Sequence, residues 1–118
     1  LWSEVFCKSY DCLDWTEEVN SIVRNSISEV EYIVDSDYNA SCVALYEKNS
    51  ILGLYCLGTI PEYRKKGFAK SLIDYASNQV SKKNLDFLML ETYARDGLLK
   101  FYSTLGFEQI YEKKVYTI

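Results

Sequence analysis

One proline divides the middle of the chain into two stretches of different period. From Tyr55 to Val80 the sequence reads YCLGTIPEYRKKGFAKSLIDYASNQV. An apolar run stops at Pro61, which has no N–H to give to a sheet ladder. The basic turn Arg64-Lys65-Lys66 then meets Gly67. Beyond it Leu72, Ile73, Ala76 and Val80 share one face at helical period, with Ala69 one turn earlier. The expectation is strand, loop and helix, the helix starting near Gly67.

The start of that helix lacks a capping side chain. Lys66, Gly67 and Phe68 stand where Ser, Thr, Asp or Asn would accept from the first-turn N–H groups. The open donors carry the positive end of the helix dipole, and Arg64, Lys65, Lys66 and Lys70 surround them, which suits an anion such as a pyrophosphate. Gly67 allows close approach to the backbone. The bland alternative is a solvated basic loop in front of an ordinary helix.

The spacing Arg64-x-x-Gly67-x-Ala69 after an apolar strand resembles the acetyl-CoA signature [QR]-x-x-G-x-[GA] of the GCN5-related N-acetyltransferases, the GNAT superfamily. The stretch from Leu57 to Arg64 looks like that family's fourth strand running into its cofactor loop. A second element, Leu98 to Phe107, is similar to the family ending A-x-x-x-Y-x-x-x-G-F and supplies Tyr102, Gly106 and Phe107. Two positions depart from it: Leu98 stands where Ala is common, and Arg95 where Asn is frequent. The resemblance covers Val30 to Ile118 well and the N-terminal helices loosely.

Composition fits this outline and removes other chemistries. With 118 residues, 48% hydrophobic and 15% aromatic, the chain is long and apolar enough for one domain with a real core. A formal net charge of −4 argues against broad nucleic-acid binding. The absence of histidine excludes Ser-His and Cys-His nucleophile schemes. Cys7, Cys12, Cys42 and Cys56 form no CxxC pair, so neither a metal site nor a disulfide framework is expected; reduced thiols in a cytoplasmic protein are. No apolar run approaches the ~20 residues that span a bilayer, so no membrane partner is expected.

Taken in order, Trp2, Val5 and Phe6 suggest a short helix broken at Ser9-Tyr10-Asp11. Asp14-Trp15-Thr16-Glu17 has the spacing of a capping box, with Val19, Ile22, Val23 and Ser26 following on one face. Val30 to Val34 reads as a strand, Asp35 to Asn39 as a turn, and Cys42 to Tyr46 as a second strand. Lys48-Asn49-Ser50 reads as a hairpin turn into Ile51 to Leu57. Leu85 to Thr92 is almost continuously apolar and reads as a strand buried on both faces, parallel to the one before it across the helix. A helix from Asp96-Gly97 to Leu105, stopped by Gly106, and a final hairpin from Phe107 complete the chain. The fold class expected is α/β: a GNAT-like mixed, mostly antiparallel central sheet with helices on both faces, one domain over residues 1–118.

The resemblance implies a function: N-acetyl transfer from acetyl-CoA directly to a primary amine of a small molecule or peptide. It assigns the pantetheine arm to the backbone of Leu57 and Thr59, with the Leu57 region polarising the acetyl carbonyl, and the pyrophosphate to the N–H groups from Lys65 to Lys70, through Lys66, Gly67, Phe68 and Ala69. It makes Tyr102, a phenol of ordinary pKa near ~10, the donor to the departing thiolate; the alternative for Tyr102 is a core-filling ring. The family's strand glutamate has no counterpart, since Gly53 stands in its place. Glu91, Tyr55, Tyr93 and a water remain open as the base. Cys56 reads as a small buried hydrophobe rather than an acyl carrier. Glu29, Glu31, Asp35 and Asp37 could attract a cationic amine or simply be solvated. The family usually has a strand before the first helix and none precedes Leu1, so a longer chain is one expectation, and a homodimer through the open edge another. A non-catalytic acyl-CoA-binding regulatory module is the rival reading.

Overall fold

The computed structural model describes residues 1–91, 99–105 and 107–109. Helix α1 (Trp2–Ser9) leads through a 3-10 turn at Leu13–Trp15 into α2 (Thr16–Ser26). Strands β1 (Val30–Val34), β2 (Ser41–Lys48) and β3 (Ile51–Thr59) follow, then α3 (Phe68–Lys82), β4 (Phe87–Leu90) and α4 (Leu99–Thr104). The sheet order is β1-β2-β3-β4, antiparallel at the first two pairings and parallel at the third.

Alternation along β2 divides the protein into two layers. Val43 and Leu45 face α3, where they bury Leu52, Leu54, Leu72, Ile73 and Ala76. Cys42 and Ala44 face the other way, against Trp2, Val5 and Val23 of α1 and α2. Period-2 patterning thus gives each sheet face its own helical cover. Trp2 anchors the second layer, its indole N–H donating to the Val43 carbonyl at 3.0 Å. Among the described residues no helix is long and apolar enough to cross a membrane.

The β2–β3 hairpin closes with Lys48 opposite Ile51, leaving Asn49 and Ser50 as the two-residue loop. Both have positive φ, 53° and 66°, as a type I′ turn requires. Three local expectations are corrected. Asp14 does not cap α2: it lies inside the 3-10 turn that Trp15 N–H closes onto the Cys12 carbonyl, and α2 starts at Thr16 without a side-chain cap. A residue already in a helical turn lacks the extended conformation an N-cap uses. Ile22 is exposed while Val23 is buried, so the buried face of α2 is narrower than the spacing suggests. Among the described residues β4 starts at Phe87 rather than Leu85 and is not buried on both faces; Thr92 lies outside them. Leu88 and Leu90 pack towards α3, but Phe87 is 66% exposed because α1 packs over β1 to β3 on the other side.

The turn after β1 is built around Asp35. Its carboxylate accepts from the backbone N–H groups of Tyr38, Ala40 and Ser41 at 3.0, 2.6 and 2.7 Å, and from the Ser41 hydroxyl at 3.2 Å. Burial pushes this carboxyl up, but the hydrogen bonds outweigh it and hold its pKa below the ordinary 3.8. A depressed folded-state pKa gives stability that is complete above 3.8 and is lost as pH falls through the lowered folded value. Asp35→Asn should therefore cost on the order of 1 kcal/mol at neutral pH, allowing for partial exposure, with the gap between variant and parent narrowing as pH falls below the ordinary 3.8. Urea unfolding at pH 7 and pH 3 measures both; an equal gap at the two pH values would contradict this account. Being so engaged, Asp35 organises its own loop.

Candidate functional site

Strand β3 is longer than its parallel partner. β4 pairs with it only from Ile51 to Leu54, so among the described residues Tyr55 to Thr59 extends beyond β4. On its other side β3 stays paired with β2, but the register shifts by one between Ala44↔Tyr55 and Cys42↔Gly58. The extra residue lies at Cys56-Leu57, where Cys56 takes φ 58°. This β-bulge re-aims the strand end. Ile60 N–H donates to the Ala40 carbonyl beyond β2, so alternation turns the polar groups of Thr59 and Leu57 to the opposite edge.

Both of those carbonyls already have donors. The Tyr10 hydroxyl donates to the Leu57 carbonyl at 2.5 Å, and Arg64 Nε donates to Thr59 at 3.1 Å. Arg64 Nη2 also reaches the Ser9 carbonyl at 2.9 Å, tying the end of α1 to the basic loop. Gly58 makes this approach feasible. A Cβ there would lie 2.8 Å from Tyr10 Cε2 and 2.9 Å from Ser9 Cβ, inside contact distance.

Below the strand end, α3 starts after Gly67, which has φ 88° and offers no side-chain cap. Among the described residues a Cβ at Gly67 would meet nothing within 4 Å, so the backbone borders open space there. The N–H groups of Phe68, Ala69 and Lys70 belong to the first turn and have no intrahelical partner by helix geometry. Lys65, at φ 65°, and Lys66 are exposed beside them. Lys66 Nζ stands 6.0 Å from the Tyr63 ring centroid, and Lys70 pairs with Asp74 at 3.1 Å. Tyr38, Tyr63 and Phe68 form an aromatic cluster over this turn, with centroids 5.6 to 6.1 Å apart. The basic residues are thus divided: Arg64 braces the strand end, while Lys65 and Lys66 border the helix start.

Tyr102 of α4 packs against the α3-side core that also holds Leu57 and Leu90, with Phe101 at 5.3 Å and Phe107 at 6.0 Å between ring centroids. It therefore comes to the same side of the sheet as α3. Phe107 N–H donates to the Tyr102 carbonyl at 3.1 Å, ending the helix. Thr92, Tyr93, Arg95, Asp96, Gly97, Leu98, Gly106 and the final hairpin beyond Gln109 lie outside the described residues.

Gly53, where a strand glutamate was sought, is covered by the Tyr55 ring. A Cβ there would lie 2.6 Å from Tyr55 Cε2. Burial pushes the Cys56 thiol up, and the Cys42 thiol, buried and beside Cys56, reaches about 12, so neither is set up as a thiolate nucleophile. Contrary to expectation Cys56 as a whole residue is exposed at the positive-φ bulge, even though its sulfur is desolvated. All four cysteines are free.

Two hollows flank α1. One, of about 660 Å³, lies between α1, Tyr38-Asn39 and residues 60–63. The other, of about 380 Å³, is apolar and lies between Trp2, Phe6 and Ile22 on one side and Tyr46, Tyr55 and Cys56 on the other. Glu31, one acidic candidate, accepts from the Tyr75 hydroxyl at 3.0 Å instead of lining either hollow. Sequence reading missed Tyr10 by taking Ser9-Tyr10-Asp11 only as a break. Its position four residues after Phe6 and eight after Trp2 was the available signal.

A model of the acetyltransferase (GNAT) domain matches residues 10–117. No curated protein matches the chain. Among solved structures, an acetyltransferase of the GNAT family from Staphylococcus aureus MU50 aligns at TM-score 0.71 and 18% identity, over 93% of this chain and 80% of that one. A putative acetyl transferase from Pyrococcus furiosus aligns at TM-score 0.71 and 14% identity, over 91% and 79%. AAC(6')-Iy in complex with the bisubstrate analog CoA-S-monomethyl-acetylneamine aligns at TM-score 0.71 and 15% identity, over 86% and 79%. At these identities the likeness is one of fold.

Proposed function

The chain belongs to the GNAT acetyltransferase family, and we propose that it transfers the acetyl group of acetyl-CoA directly to a primary amine at the free end of β3. The observation that carries this reading is the extension of β3 past its last described pairing with β4 at Leu54, with a bulge at Cys56 and an uncapped, glycine-led helix start below it.

The fit to CoA rests on these residues. The backbone N–H groups of Leu57 and Thr59, whose carbonyls Tyr10 and Arg64 already hold, suit a pantetheine arm, which carries amide groups and can lie along β3. The first-turn N–H groups of Phe68, Ala69 and Lys70, with Lys65, Lys66 and the backbone of Gly67, suit a pyrophosphate. Arg64 contributes by holding Thr59 and Ser9 together, which fixes the strand end relative to the loop. Bound acetyl-CoA supplies an activated thioester. What the protein adds is position and polarity: backbone N–H groups at the bulge orient an acyl oxygen, and the Tyr102 hydroxyl can give a proton to the leaving sulfur. The lone pair of the amine nitrogen forms the new bond to the carbonyl carbon, the carbon–sulfur bond breaks with its electrons leaving on sulfur, and the nitrogen loses its proton to water or a nearby base.

The acceptor class is an amine of a small molecule or peptide, approaching along α1 where the two hollows lie. Four free thiols accord with a reducing, cytoplasmic setting. Calorimetric titration with acetyl-CoA and CoA tests the reading. Micromolar binding of both is expected; a folded protein that binds neither would refute it. Binding without acetyl transfer across a broad panel of amines would instead favour the regulatory-module reading.

A further inference from the structure

We propose that the acceptor is a small-molecule primary amine with an uncharged, apolar body, seated in the hollow of about 380 Å³ between α1, α2 and the bulge of β3; this rests on the acetyltransferase reading above. Direction along the strand selects this hollow over the larger one. An arm that runs from the start of α3 past Thr59 to Leu57 brings its thioester to the Cys56 end of β3. The larger hollow borders residues 60–63, and Ile60 is three residues beyond Leu57, roughly 10 Å back towards the basic loop along an extended chain. The smaller one has Tyr55 and Cys56 as its far wall, directly before Leu57.

The bulge brings strand edge and hollow together. Leu52 and Leu54 join the α3-side core, so alternation sends Gly53 and Tyr55 to the α1 and α2 layer. The extra residue at Cys56 then shifts the alternation, and Leu57 packs on the α3 side again. The edge at Leu57 and the wall at Tyr55 are thus separated by one residue of backbone.

The walls decide the class of amine. Among the described lining residues of this hollow none carries a charge, whereas the larger one has Glu4, Lys8, Asp11 and Glu62. Its rings spend their polar tips elsewhere: Trp2 donates its indole N–H to the Val43 carbonyl, and the Tyr32 hydroxyl pairs with that of Ser26 at 2.7 Å. Tyr55 lies back over Gly53, where a strand glutamate was sought, so this wall holds a ring in place of a carboxylate. A volume of about 380 Å³ suits a small ligand. Apolar surroundings also favour the neutral form of an amine over its ammonium form, and only the neutral form has the lone pair that attacks. Desolvation in this hollow therefore does part of the work of a dedicated base.

The test measures kcat/KM of the parent protein for 2-phenylethylamine, ethanolamine and 1,4-diaminobutane at saturating acetyl-CoA. Burial of the phenyl ring should favour 2-phenylethylamine at least about tenfold over either of the others. Equal values, a preference for ethanolamine or the diamine, or acetylation of none of the three by a protein that binds CoA overturns the inference and leaves the cofactor site standing. A folded protein that binds no CoA overturns the acetyltransferase reading, and the inference with it. A rim variant then locates the apolar body: Ile22 is 64% exposed, so a change to lysine leaves the fold in place. In Ile22→Lys the ratio of kcat/KM for 2-phenylethylamine to that for ethanolamine should fall about fivefold or more, with CoA titration reporting that the variant is folded. An unchanged ratio overturns the assignment to this hollow.

Discussion

Tyr102→Phe is expected to slow acetyl transfer at neutral pH by a factor of ten to about one hundred while leaving CoA affinity within twofold. The size follows from the leaving group. General acid catalysis contributes about 10²–10⁴-fold, but a thiol of pKa near ~8.5 departs without full protonation, so the low end applies. Affinity should hold because phenylalanine keeps the ring contacts with Phe101 and Phe107 and the packing beside Leu57. Single-turnover rates with an amine the parent acetylates decide the matter. A variant that is as fast as the parent would make Tyr102 a packing residue and nothing more.

What could be read in the sequence, and what could not, divides by the range of the interaction. Pro61, Gly67 and the 3.6 period of Leu72, Ile73 and Ala76 are local signals, and the strand, loop and helix they imply are present. Asn49 and Ser50 accept positive φ cheaply enough to close the hairpin where expected. The capping box at Asp14 was equally local yet failed, because a competing 3-10 turn took the same residues. The bulge at Cys56 had no signal at all, since the residue with φ 58° is not a glycine. Sequence spacing also said nothing of Arg64 reaching the Ser9 carbonyl or Tyr10 reaching Leu57, contacts spanning 55 and 47 residues. The candidate loop was legible because its function is in the backbone of one short segment. The partners of the strand end were not, because they come from a helix at the other end of the chain.

Gly67 gives the sharpest separation between fold and ligand. Gly67→Gln should weaken CoA binding about 100-fold or more while costing only about 1–2 kcal/mol of stability. The stability cost is that of an L side chain at φ 88°, a left-handed conformation that only glycine adopts freely. The described residues add no steric term to it, because a Cβ at this position meets none of them within 4 Å. That same emptiness makes the binding effect large. The new side chain would project into the open space beside the first-turn N–H groups, where a pyrophosphate has to approach, and its amide could itself accept from them. Two losses then coincide: exclusion of the ligand and capping of its donors. Titration of CoA into parent and variant measures the first, and urea unfolding of both without ligand measures the second. If affinity fell only as far as the stability loss, strain in the loop would suffice as the cause. If affinity were unchanged, the anion would not bind at the start of α3, and the basic loop would be a solvated surface.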